Sequence, residues 1–149
     1  MGVSLLHTGD IEEARVHIDR AIALYDPAKH RQLAMRFGQD VRVALLFYRS
    51  LALWPLGYPE GALAEADRAI SDAREIGQAA SLMAALTLTS LSQIHCGRYA
   101  IANAQLDEVI TLANEKGALF WKVGGMLVQG CLFAITAEPR TPSARSRLD

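Results

Sequence analysis

Tyr58-Pro59-Glu60-Gly61-Ala62-Leu63-Ala64-Glu65-Ala66-Asp67-Arg68-Ala69-Ile70-Ser71-Asp72-Ala73 reads as one amphipathic helix. Ala62, Ala66, Ala69, Ile70 and Ala73 follow one another in steps of 4, 3, 1 and 3. That rhythm keeps one apolar stripe on one face of a 3.6-residue helix. Glu65, Asp67, Arg68, Asp72 and Arg74 fill the intervening positions and give a solvated side. The same stripe recurs twice more. Upstream it is Ala14, Ile18, Ala21, Ile22 and Tyr25; downstream it is Ala102, Leu106, Val109, Ile110 and Ala113.

A glycine precedes each copy: Gly9, Gly57 and Gly97, spaced 48 and 40 residues apart. Before each glycine a second class of helix is expected, apolar nearly all round. Leu46, Leu86 and Met126 correspond at a spacing of 40, as do Ser50, Ser90 and Gly130, and then Trp54, Ile94 and Ala134. A helix apolar on all sides belongs between neighbours. The unit is an apolar helix, a tight turn at Gly and an amphipathic helix. Repeats of this size and content predict an all-α fold, an α-solenoid of antiparallel helix pairs with about three and a half repeats and a period of about 40.

Local signals set the boundaries. Asp10 with Glu13 has the spacing of a capping box. Gly77 and Gly117 suit left-handed helix ends. Pro59 fits a first helical turn, and Pro55 is expected to loosen the end of its helix. Asp26-Pro27 opens a short extra helix over about 27–36, which accounts for the longer first spacing. Val3 to His7 reads as the last turns of an opening helix. Residues 1–137 are expected to form the helical domain and 138–149 a disordered tail with no apolar stripe. The helix over about 119–137 then lacks a following partner, and its apolar face should be exposed or covered by another molecule.

The 149-residue length suits one domain, and 51% hydrophobic with 21% charged residues is globular composition. A net charge of −1 gives no footprint for a phosphate backbone, so nucleic acid is not an expected partner. Cys96 and Cys131 alone make no secreted disulfide framework. The first residues lack the form of a signal peptide. The apolar stretch from Val41 to Gly57 is broken by Arg42, Arg49 and Pro55 and reads as a core helix. Neither a membrane nor any cofactor is expected, and the expected location is cytoplasmic.

The unit resembles the tetratricopeptide repeat. Gly at the turn, Ala five residues later and a small residue in the first helix all match, while a 40-residue period implies longer helices than that repeat's usual ~34 residues. Over about residues 1–137 the chain also resembles the helical-repeat region of large bacterial signalling proteins. There it lies C-terminal to class III adenylate/guanylate cyclase domains or P-loop regulatory ATPases. The shared strings are Gly9-Asp10 with Glu13-Ala14-Arg15, Ala23-Leu24-Tyr25-Asp26-Pro27 with His30-Arg31, Gly38-Gln39-Asp40, and Ala52-Leu53-Trp54-Pro55-Leu56-Gly57-Tyr58-Pro59. The resemblance implies a coupling module and not a catalytic one. The run Gly124 to Gly130 lacks the Lys of a phosphate loop.

Candidate chemistry is sparse. His95-Cys96 is the one adjacent reactive pair, but helical neighbours diverge by about 100°, which places His95 poorly as a base for Cys96. Glu12-Glu13 and Asp107-Glu108 read as solvated surface carboxylates. No metal-ligand spacing occurs among the Cys and His residues. In tetratricopeptide arrays the first helices line a concave groove. Carried over, Phe47, Leu51 and Trp54, then Thr87, Leu91, Ile94 and His95, then Leu127 and Cys131 would line it for a protein or peptide segment. The alternative is that these residues only pack between helices. Two other roles stay open: self-association, as a homodimer through the C-terminal apolar helix, and small-molecule sensing between helices.

Overall fold

The computed structural model describes residues 2–137, apart from the side chains of Met35 and Phe37, and among these every regular element is helical. The tail expectation for 138–149 lies outside the described residues. The chain runs α1 (Gly2–Thr8), α2 (Ile11–Ala23), α3 (Pro27–His30), α4 (Leu33–Phe37), α5 (Val41–Leu53), α6 (Pro59–Ile76), α7 (Ala79–His95), α8 (Tyr99–Lys116) and α9 (Leu119–Thr136).

The amphipathic stripes are where the core forms. Ala62, Ala66, Ala69 and Ala73 of α6 are fully buried, as are Ala14 and Ile18 of α2 and Ala102, Leu106, Val109 and Ala113 of α8. Small alanines let the helix axes approach, and larger side chains from α5 and α7 fill the space between. Val43, Leu46 and Phe47 meet Ala69, Ala73, Ala84 and Ala85 in one cluster, while Leu132 of α9 joins Ala102 and Leu106 in a second. Consecutive helices pack on one another from α5 to α9, and α5, α7 and α9 also touch in series.

Turns follow the glycines. Gly57 and Gly97 take φ of 85° and 74°, a region costly for any residue with a Cβ. Gly77 and Gly117 cap α6 and α8 in the left-handed conformation. Pro59 stands in the first turn of α6.

Two boundary expectations change. Asp10 stands at the start of α2, but its side chain makes no capping hydrogen bond, so the Asp10–Glu13 box does not form. The extra helix is two short ones, α3 and α4, split at Arg31–Gln32. Asp26 caps the first of them, accepting from the Ala28 N–H at 3.0 Å. Pro55 lies at the end of its helix, in the turn just beyond α5, which stops at Leu53.

One structural residue escaped the sequence reading. Asp40 is fully buried and caps α5, its Oδ1 accepting from the N–H groups of Arg42 and Val43 at 2.9 and 3.1 Å. Its Oδ2 accepts from the Tyr25 hydroxyl at 3.0 Å, and its own N–H donates to Ser81 Oγ at 2.7 Å. Asp40, through its carboxylate and its own N–H, ties the α2–α3 junction, α5 and α7 together.

Candidate functional site

The proposed groove residues separate into four groups. Phe47 and Thr87 are closed off. Phe47 packs in the main cluster against Tyr48, and the Thr87 hydroxyl bonds back to the Met83 carbonyl at 2.8 Å within its own helix. Neither presents a surface to a partner, so for these two the packing alternative holds. Leu51, Leu91 and Ile94 are half-buried. Trp54 and His95 come together: their rings stack with centroids 4.6 Å apart, closing the ends of α5 and α7 over one another. Each ring uses the other as its partner. Leu127 and Cys131 lie on α9, exposed.

Cys96 lies beyond the end of α7, its Sγ 3.9 Å from the Pro59 carbonyl. Burial pushes its thiol pKa up, and the Arg98 charge offsets part of that rise. A raised thiol pKa disfavours the thiolate that nucleophilic chemistry needs. The structure engages the His95 ring with Trp54. Among the described residues, no three His, Cys, Asp or Glu side chains gather where they could hold a metal ion.

Sequence reading missed a cleft of about 540 Å³ between α2, α5 and the start of α6, bordered by Arg15, Arg49, Tyr58 and Glu65. Arg49 pairs with Asp19 at 2.9 Å and with Glu65 at 3.4 Å, and Arg68 reaches Glu65 at 3.1 Å. The second Glu65 oxygen has no hydrogen-bond partner. The sequence signal was too diffuse to find, because these residues come from three helices and each looks like a surface charge. Arg49 and Arg68 pair with Asp19 and Glu65, Arg15 Nε has no hydrogen-bond partner, and the cleft brings no nucleophile beside a base.

Among the described residues, the exposed large apolar side chains concentrate on the outer face of α9. Leu119, Phe120, Val123, Met126, Leu127 and Phe133 are all more than half exposed, as is Ile135 about 60° farther round the helix. On a helix advancing about 100° per residue the first six fall within a sector of about 140°. Gly125 and Leu132 occupy the opposite side, against α8. Gly125 is there because α9 lies close: a Cβ on it would come within 3.1 Å of Val109 Cγ1 and 3.2 Å of Ile110 Cγ1. Gln129 adds the polar tie, its Nε2 donating to Asn103 Oδ1 at 3.1 Å and Asp107 Oδ1 at 2.7 Å. Among the described residues α9 is also the one helix long and apolar enough to cross a membrane by length and composition, with a mean hydropathy of 1.4.

No family model, curated protein or solved structure matches this chain.

Proposed function

We propose that the chain is a non-catalytic, tetratricopeptide-like interaction module of about three and a half helix pairs. Its work is to dock proteins within a cytoplasmic bacterial signalling system of the cyclase or regulatory-ATPase kind. Any cyclase or ATPase chemistry would belong to other domains.

One observation carries the docking role. Positions 40 residues apart on α7 and α9 have opposite fates: Leu86 is 1% exposed and Met126 52%, Thr87 6% and Leu127 68%. A helix of the kind sandwiched at α7 is left open at α9. An apolar patch of this size and continuity on a folded chain marks an interaction surface.

The test is a pair of charges on that face. Phe120→Lys with Leu127→Lys should leave helical content and Tm nearly unchanged, since both side chains are exposed in the folded chain. It should abolish whatever association the wild type shows, with itself or in calorimetric titration with recombinant cyclase and ATPase domains. A wild type that associates with none of these overturns the docking reading.

A further inference from the structure

From the open face of α9, and resting on that docking reading, we infer that its occupant is α9 of a second copy of this chain, packed antiparallel about Leu127. Shape carries the inference. Along the face the first half of the helix is bulky, with Phe120 and Val123 standing out. The second half carries Gly130 and Ala134 near its midline, with Phe133 at the edge, and nothing lies within 4 Å above Gly130. Phe120 and Ala134 are each seven residues from Leu127, and Val123 and Cys131 are each four. A two-fold axis through Leu127 therefore sets Phe120 of one helix over Ala134 of the other and Val123 over Cys131. It does so twice, as an isologous interface requires.

Charge and area agree. Lys122 is the one charged side chain on α9, and it is half-buried to the side of the open face. Two such faces meet with no like-charge conflict. Six large side chains exposing roughly 100 Å² apiece give about 600 Å² per chain. The pair would bury about 1,200 Å², the lower bound of specific, stable interfaces. A dimer that dissociates on dilution is the expected consequence. The segment 138–149 is a poor competitor for the face, with Leu148 its one large apolar residue beside two prolines and three arginines.

Light scattering on the whole chain from about 1 μM to about 1 mM spans the affinities such an interface can have. The expected mass rises from 16.2 kDa toward twice that value. Leu127→Lys should hold the mass at the monomer value with its helical signal intact. Should that variant lose helicity, cross-linking gives a second readout. In a Cys96→Ser, Cys131→Ser background, Leu127→Cys should be joined to itself by a short bis-maleimide. Leu24→Cys, at a residue 78% exposed on the end of α2, should not. A chain monomeric throughout, a dimer untouched by Leu127→Lys, or equal cross-linking at both sites overturns the inference. So does a monomer that sediments with phosphatidylcholine–phosphatidylglycerol vesicles, which would assign the face to lipid. A monomer that still gives heat with a cyclase or ATPase domain removes the second copy and leaves the docking reading standing.

Discussion

Helices α7 and α9 are built on the same plan 40 residues apart, and they sit in different worlds. Ten residues of α7 are buried, against two of α9. Helix α7 is packed by α5, α6, α8 and α9, whereas α9 leans mainly on α8 and α7. The polar ties differ as well. Ser81 near the start of α7 accepts from the Asp40 N–H and donates to Gln78, whose amide reaches the Ala34 carbonyl at 3.2 Å. Ser92 lies 2.7 Å from Ser50 Oγ, which donates to the Ala62 carbonyl at 2.6 Å. Among the described residues, helix α9 has Gln129 alone for side-chain hydrogen bonds to another helix. Apolar composition does not by itself place a helix inside; neighbours do, and α9 has them on one side.

The sharpest way to break the comparison is to remove the matching side chain from each helix. Leu86→Ala should cost about 2–5 kcal/mol, the usual range for emptying a packed core site. Met126→Ala should change the monomer's stability by less than about 0.5 kcal/mol. Urea unfolding at low protein concentration measures both, and equal losses would mean that α9 is covered in the monomer.

Glycines give the next contrast. Gly125→Val should cost about 1–3 kcal/mol by overpacking against Val109 and Ile110. Gly124 faces open space, so Gly124→Ala should stabilise the chain by up to about 1 kcal/mol through helix propensity. Thermal melts of the two variants should therefore move in opposite directions.

A smaller effect probes the anchoring of α5 and α7. Tyr25→Phe removes the hydrogen bond to Asp40 and should cost about 0.5–1.5 kcal/mol. Burial, then the Asp40 hydrogen bond and charge, hold the Tyr25 pKa above 10.0. The neutral phenol is favoured in the folded chain, so this contribution is complete below the unfolded value near 10 and fades as pH rises through the folded one. Wild type should lose stability above about pH 10 more steeply than Tyr25→Phe. Parallel pH profiles would remove Tyr25 as the cause.

The helices were largely legible from the sequence because their signal is periodic. The Ala62-to-Ala73 stripe names its own buried positions, and Gly57, Gly77, Gly97 and Gly117 mark turns and ends by their backbone demands. The exposure of α9 was legible too, from the missing apolar stripe after residue 137. What escaped was long-range and polar. Asp40 looks like an ordinary cap until Tyr25 and Ser81 converge on it. The Arg15–Arg49–Glu65 cleft depends on three helices meeting. Within the proposed groove, spacing grouped Phe47, Thr87 and Leu127 into one column. Burial divides that column, because the first two have helices on both sides and Leu127 does not.

Hydrogen exchange resolved along the chain, at low and high protein concentration, tests the central claim most directly. Amides of α7 should show strong protection that does not depend on concentration. Those of α9 should exchange faster at low concentration and gain protection as concentration rises. Equal protection of α7 and α9 at every concentration would contradict an open α9 face.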